Sequence, residues 1–96
     1  MPVSLPVNQS SAQFNRYYQF LTTSDGQTEY GPTGDTIPDP SKAIVKLNGQ
    51  GGLDYGTHFT VTGGNTIVLI PAAIGWETEI LNDAGYPDLV EVFFMV

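Results

Sequence analysis

Residues Lys46–Ala72 constrain the fold most strongly, because they place short β-prone segments between tight turns. The apolar residues of segment 44–47 predict a strand that ends at Asn48-Gly49, a pair that favours the positive φ of a tight turn. In segment 58–62, Phe59 and Val61 alternate with polar residues, the period of two expected when one face of a sheet is buried. The pattern predicts an antiparallel sheet.

Two further segments are predicted to be strands. Thr66–Ile70 is a nearly continuous apolar run, too short and too β-branched for a helix, which indicates a central strand covered on both faces and ended by Pro71. Leu89–Val96 is strongly β-prone and almost uncharged. Such a strand promotes aggregation on an exposed edge, so we expect it inside a sheet or against a neighbouring subunit.

The part of the chain before Ser41 has a different character. Residues 1–12 carry two prolines and small polar residues without helical periodicity, and they predict an extended amino-terminal arm. Residues 13–96 are predicted to form a single domain. Its first segment, Gln13–Thr22, alternates in a way that favours a strand.

Two segments of the domain are predicted to be irregular. Residues 24–40 gather glycine, proline and aspartate, and they predict a long loop with one short strand around Thr28–Tyr30. Loops of this length are usually functional or ordered by another chain, and we expect the second. Residues 72–87 leave two interpretations open, a strand at Trp76–Ile80 or one helical turn, followed by a turn at Asn82–Gly85.

Length, charge and residue types exclude several classes of protein. A domain in a chain of 96 residues buries only about two-thirds of the surface that its unfolded form exposes, so oligomerisation would stabilise it. Ten acidic and three basic side chains give a net charge of −7, which repels nucleic-acid backbones. The absence of cysteine excludes disulfides and thiolate metal sites. The first residues predict neither a secretory signal nor a membrane anchor, so we expect synthesis in a cytoplasm.

No group of side chains predicts catalysis. His58 is the only histidine, and no base partner can be assigned to it, so we expect it to lie on the surface or to form a hydrogen bond. Glu77 and Glu79 would share one face of a strand, but carboxylates at this spacing more often form a solvated face than a catalytic pair. We therefore expect that the protein is not an enzyme.

Metal and cofactor sites are also poorly supported. Asp25, Asp35 and Asp39 provide oxygen ligands in the predicted loop but lack the spacing and the closing glutamate of a calcium loop. The glycines lie at predicted β-turns, and no lysine of a phosphate-binding loop accompanies them. We expect no metal and no cofactor.

The aromatic residues allow two interpretations. Stacking on sugar rings would need an exposed platform; its candidates are Tyr17, Tyr18, Tyr30, Tyr55, Trp76 and Tyr86. The alternative is that aromatic residues mainly fill the core of a small domain; the candidates for that role are Phe14, Phe20, Phe59, Phe93 and Phe94. The second interpretation is favoured, and glycan binding stays as an alternative.

An ordered series of four motifs resembles a known family of proteins. The motifs are Leu47-Asn48-Gly49, Gly56–Val61, Asn65-Thr66-Ile67 and Asp88–Phe93. In this order they resemble the small β-sandwich repeats of tailed-bacteriophage virion proteins, which occur in tail-fibre, head-fibre and decoration polypeptides. The resemblance covers residues 43–96. Two features depart from the pattern. The segment of residues 73–87 is longer than the usual connection before the last strand, and the sequence contains no second copy of the repeat.

The resemblance implies an all-β fold, a small antiparallel β-sandwich that is Ig-like or similar, with a structural and not a catalytic role. We expect a capsid decoration or cement protein that binds the major capsid protein on the virion surface as a homo-oligomer, with a trimer favoured. Val3, Leu5 and Val7 of the arm would add backbone pairing and apolar contacts to a capsid sheet. The alternative is a tail, fibre or head-to-tail component that binds a glycan receptor. Neither role involves nucleic acid or a membrane.

Overall fold

A computed structural model describes residues 14–96 of the chain. Six strands in this range form two three-stranded antiparallel sheets. The strands are β1 (Arg16–Leu21), β2 (Glu29–Tyr30), β3 (Ile44–Leu47), β4 (Phe59–Thr62), β5 (Thr66–Leu69) and β6 (Leu89–Phe94). The first sheet has the order β1-β6-β3 and the second the order β2-β5-β4. The predicted all-β class is confirmed, and the predicted arm, residues 1–12, lies outside the described residues.

One hydrophobic core receives side chains from both sheets. Alternate residues of β6 are buried, and their neighbours on the strand are half-buried, as the pleat of a strand requires. The buried apolar residues of the core are Tyr30, Ile37, Ala43, Val45, Leu47, Phe59, Ile67, Leu69, Val90, Val92 and Phe94. Each sheet therefore has an inner face toward this core and an outer face away from it.

The two strands expected to be central have that position. β6 pairs with β1 on one side and with β3 on the other, so the β-prone segment at Leu89 is not on an edge. β5 lies between β2 and β4. Its residues Ile67 and Leu69 are buried, while Thr66 and Val68 are only half-buried, so its outer face is less covered than predicted.

The long loop at residues 24–40 is ordered by contacts within the same chain. Ile37 is buried in the core, and its N–H donates to the carbonyl of Gly64 over 2.8 Å. The N–H of Thr33 donates to the carbonyl of Asn65 over the same distance. A 3₁₀ turn, Pro40–Lys42, then leads into β3. These contacts hold the loop against its own domain.

The segment at residues 72–87 contains neither a strand at Trp76–Ile80 nor a helical turn there. A one-turn helix, α1 (Pro71–Ile74), lies at the start of the segment and ends at Gly75, whose φ of 97° is left-handed. Thr78 is buried and its hydroxyl donates to the carbonyl of Gln27 over 2.6 Å. Because side-chain and backbone bonds to the 24–40 loop hold this segment, it needs no strand ladder.

A buried carboxylate connects this segment to the turn after β3. Asp88 is fully buried, and one of its oxygens accepts hydrogen bonds of 2.8 Å from the side-chain amides of Asn48 and Asn82. Its other oxygen accepts the N–H of Glu79 over 2.7 Å. The side-chain oxygen of Asn48 also accepts the N–H of Leu89. We call this network the Asp88 clamp, and it joins two of the motifs, Leu47-Asn48-Gly49 and Asp88–Phe93.

Candidate interaction surface

The outer face of the first sheet carries an apolar patch. The strand register places Tyr17, Phe93 and Ile44 side by side across β1, β6 and β3, on the face away from the core. Phe14, just before β1, covers the same face through an edge contact with Phe93, with ring centroids 6.3 Å apart. We call Phe14, Tyr17, Ile44 and Phe93 the outer-face patch.

The patch is open to solvent and is packed well enough to keep its shape. Tyr17 is 47% exposed and Ile44 is 39% exposed. The ring of Tyr17 lies 4.8 Å from that of Phe93, and the Lys46 ammonium lies 5.3 Å from the centroid of the same ring. Aromatic pairs and a cation over a ring each add a modest attraction to apolar burial. The patch thus offers a preformed aromatic surface.

Two shallow cavities lie beside the patch. One, of about 320 Å³, is bounded by Phe14, Ile44, Lys46 and Phe93. The other, of about 590 Å³, extends from Phe14 and Ile44 around the end of the sheet to Met95. Their walls are mostly carbon, so apolar side chains of a partner would displace poorly bonded water from them.

A polar row borders the patch. The next residues across the three strands are Gln19, Glu91 and Lys46. The Tyr17 hydroxyl donates to the Glu91 carboxylate over 2.6 Å. This hydrogen bond raises the pKa of Tyr17 above its ordinary value, because it stabilises the neutral phenol, and desolvation adds to the effect. The patch therefore has an apolar centre and a polar margin, as protein interfaces commonly do.

A second polar group fixes the loop beside β1. The Asp35 carboxylate accepts hydrogen bonds from the Tyr18 hydroxyl over 2.7 Å and from Nε of Arg16 over 2.6 Å. These two bonds lower the pKa of Asp35, with the Tyr18 bond as the larger cause. The same contact raises the pKa of Tyr18. The group anchors the 24–40 loop to the end of β1 that is next to Phe14.

A cleft of about 420 Å³ lies on another part of the molecule. Trp76, which is 43% exposed, lines it together with Glu77, Glu79, Asp83 and Asn82. An exposed indole ring with carboxylates and an amide around it can stack on a sugar ring and accept hydrogen bonds from its hydroxyls. We call this the Trp76 cleft.

The structure separates the aromatic residues that the sequence grouped together. Tyr30 is in the core, Tyr18 stacks on Phe94 with ring centroids 5.9 Å apart, and Tyr17 belongs to the outer-face patch. Tyr55 contacts Phe59 with centroids 5.7 Å apart. In the described part of the chain, no two of the six platform candidates form an aromatic pair with each other. The single platform that was considered is therefore not formed.

The other candidate residues have local partners. Nδ1 of His58 accepts the N–H of Asp54 over 2.9 Å, a turn contact. Asp25 accepts the N–H of Ile80, and Asp39 accepts the hydroxyl and N–H of Ser41. The hydroxyl bond of Ser41 is the largest cause of a lowered pKa at Asp39.

Within residues 14–96, no three His, Asp or Glu side chains are arranged to hold a metal ion. In the same range, no helix has the length and apolar character needed to cross a membrane. Val3, Leu5 and Val7, the predicted partner-binding residues, lie outside the described residues.

Comparisons of the chain with protein-family models, with curated proteins and with solved structures found no match. The resemblance of its four motifs to phage virion repeats thus remains an expectation from the sequence.

Sequence reasoning did not find the outer-face patch, because it assigned Phe14 and Phe93 to the core. Phe93 is half-buried on the outer face, and Phe14 packs against it there. The signal that could have located the patch is the period of two in β6. Phe94 shares a face with Val90 and Val92, so Phe93 must point the other way.

Proposed function

We propose that this chain is a structural virion protein of a tailed bacteriophage, a capsid decoration or cement protein that binds the major capsid protein and stabilises the shell. The observation that supports it most is the outer-face patch, since an exposed apolar sheet face marks an interaction surface on a small domain. The motifs shared with phage virion repeats point to the same role. The proposal needs no catalytic group.

The proposed fold for this role is a small β-sandwich, Ig-like or similar, whose two layers are the sheets that share the core. One outer face would contact the shell, and the arm with Val3, Leu5 and Val7 would add further apolar contacts. Several copies, three about a local axis, would each contribute weak contacts that add up over the assembly. The net charge of −7 favours a basic docking surface.

The first experiment is cross-linking mass spectrometry on purified virions of the phage that encodes the chain. Cross-links from Lys42 and Lys46 to the major capsid protein, at high copy number, are expected. Lys46 lies over the outer-face patch, so its links report on that face directly. Absence of the protein from virions would overturn the proposal.

A matched pair of substitutions tests the proposed face. Tyr17→Ser removes an aromatic ring from the patch, whereas Tyr86→Ser removes one from an exposed turn, where Tyr86 is 69% exposed. We expect the first to weaken cosedimentation with undecorated shells at least tenfold and the second to leave it unchanged. Equal binding of both variants would exclude the outer-face patch. Deletion of Pro2–Gln9 is expected to leave the fold intact and to weaken attachment as well.

A second function is favoured by the Trp76 cleft, namely a tail, fibre or head-to-tail component that binds a glycan receptor. Carboxylates line the cleft, so a neutral sugar would fit it better than an acidic one. A glycan array with the soluble protein tests this function. Binding of a neutral glycan by the wild type and its loss in Trp76→Ala would support it, and an array without signal would count against it.

A further inference from the structure

Among the described residues, the edge of β1 away from β6 has three alternate residues whose backbone groups are unpaired. Antiparallel pairs alternate between residues that exchange hydrogen bonds and residues that do not. The N–H of Thr22 donates to the carbonyl of Asp88 over 2.9 Å, and every second residue of β1 before Thr22 therefore faces β6. The N–H and C=O groups of Tyr17, Gln19 and Leu21 point away from β6. None of these six groups has a partner among the described residues.

The corresponding edge of β3 is largely closed. Asn48 donates its N–H to the carbonyl of Leu89, so Val45 and Leu47 face away from β6. The N–H and C=O of Leu47 are both bonded to Gln50 in the following turn, at 3.0 and 3.1 Å. Among residues 14–96, Val45 alone keeps free backbone groups on this side of β3.

The outer strands of the second sheet, β2 and β4, also have few free backbone groups among the described residues. The carbonyl of Phe59 in β4 accepts the N–H of Gly56 over 2.7 Å, and β2 has only two residues. Within residues 14–96, β1 thus has the longest open edge.

The β1 edge lacks the features that usually prevent pairing. The segment RYYQFL has one charged side chain, Arg16, and contains no proline. Leu21 is 55% exposed, and a cleft of about 460 Å³ beside the edge is lined partly by Phe20 and Tyr30. An extended segment could therefore add a strand here and cover apolar surface at the same time.

The sequence of the arm suits one-sided pairing. In an extended segment, the N–H groups of alternate residues point to opposite edges. Val3, Leu5 and Val7 would present their N–H groups to one edge, whereas Pro2 and Pro6 fall on the other edge and have no N–H to donate. Such a strand can pair on one side and resists further pairing on the other. Residues 1–13 also carry no charged side chain, so the acidic domain does not repel them.

The contacts of Phe14 and Asn15 favour a strand supplied by another copy. The N–H of Asn15 bonds to the carbonyl of Phe94, and Phe14 lines a cavity with Ile44 and Lys46 of β3. The side chain of Phe14, the first described residue, therefore lies over β6 and β3 and not at the free edge of β1. We propose that residues 3–7 of one copy add a strand to the free edge of β1 in a second copy.

This pairing has a consequence for the outer face. Residues directly opposite in adjacent strands have their side chains on the same face. When Val3, Leu5 and Val7 pair in antiparallel register with Tyr17, Gln19 and Leu21, their side chains extend the outer-face patch. The contact is heterologous and can close into a ring. It joins copies of this chain, so it holds whether or not the assembly binds a capsid.

Two proline substitutions, one residue apart, test the proposal. Leu5→Pro removes an N–H that the pairing needs, whereas Ser4→Pro places a proline on the edge that Pro2 and Pro6 already occupy. Sedimentation velocity over a range of concentrations measures self-association. We expect the wild type and Ser4→Pro to form the same oligomer and Leu5→Pro to associate at least tenfold more weakly. A monomeric wild type, or equal behaviour of the two variants, would overturn the inference.

Amide hydrogen exchange followed by NMR locates the pairing. In the wild type, the amides of Tyr17, Gln19 and Leu21 should be protected, and deletion of Pro2–Gln9 should expose all three. The amides of Tyr18 and Phe20 face β6 and should stay protected in every variant, which shows that the domain is folded. Protection of the first three amides in a monomer would contradict exchange between copies and would assign the strand to its own chain.

Discussion

β3 and β1 both flank β6, but the backbone groups at their outer edges differ in how many hydrogen bonds they form. β3 is followed by a turn whose backbone bonds close its edge, and the Asp88 clamp holds that turn against the start of β6. Among residues 14–96, β1 has no such neighbour on its free edge, and its exposed side chains are Tyr17, Gln19 and Leu21. Hydrogen bonds within the chain occupy the backbone groups at the β3 edge. The N–H and C=O groups at the β1 edge can bond to an added strand. We therefore expect substitutions in the Asp88 clamp to cost more stability than substitutions beside β1, and substitutions at the free edge of β1 to change association.

The largest loss of stability is expected for Asp88→Ala. The substitution leaves the amides of Asn48 and Asn82 and the N–H of Glu79 without their acceptor in a buried site. We expect the free energy of unfolding to fall by about 3 kcal/mol, as typical for breaking a buried polar network. Urea denaturation measures the change.

A neighbouring aspartate provides the control for this change. Asp83 is exposed in the adjoining turn, and Asp83→Ala should change the free energy of unfolding by no more than about 0.5 kcal/mol. If the two alanine variants were equally stable, the clamp would not be what fixes the β3 side.

Substitutions of Asn48 should lower the free energy of unfolding by less. They separate the contribution of its backbone conformation from that of its side-chain hydrogen bonds. Its φ of 54° is left-handed, and its side chain bonds to both Asp88 and Leu89. Asn48→Gly keeps the backbone conformation and loses only the side-chain bonds, at a cost of about 1 kcal/mol. Asn48→Ala also strains the backbone, so we expect a loss of about 2 kcal/mol. Identical urea midpoints for the two variants would mean that the left-handed conformation contributes nothing.

On the β1 side, Asp35 should make the free energy of unfolding depend on pH in the acidic range. Its pKa is lowered in the folded state by the bonds from Tyr18 and Arg16, so its contribution is present above the unfolded pKa of about 4 and disappears as the pH falls through the folded value. We expect Asp35→Asn to lose less stability than the wild type between neutral pH and pH about 2. Thermal melts over this range measure the difference. A steeper loss in Asp35→Asn than in the wild type would contradict it.

The smallest effect is expected at Tyr17. Its pKa is raised by the hydrogen bond to Glu91, so Glu91→Gln should let the Tyr17 phenol ionise closer to its ordinary pH. Because the folded pKa is the higher one, this bond stabilises the protein below about pH 10 and ceases to do so as Tyr17 ionises. Absorbance titration of the tyrosines, with Tyr17→Phe to identify the signal, provides the measurement. An unchanged Tyr17 titration in Glu91→Gln would show that the bond does not form in solution.

The strands could be predicted from the sequence because their signals are local. Asn48-Gly49 marks the end of β3, and Pro71 marks the end of the segment that contains β5. Both signals act locally and do not depend on the tertiary structure. The contact between Asn48 and Asp88 could not be predicted, because it joins residues 40 positions apart and depends on the sheet order. Alternation in β6 separates Phe93, on the face of Glu91, from Phe94, on the face of Val90 and Val92.

The position of β6 has a consequence for how the protein is made. Both partners of β6 precede it in the chain, so the first sheet cannot form until residues 89–94 have been synthesised. Until then β1 lacks the strand with which it pairs, and its aromatic side chains have no sheet to pack in, a condition that favours aggregation. A chain whose translation stops before residue 89 would lack β6 and could not form the first sheet. Folding of the first sheet thus depends on the last strand of residues 14–96.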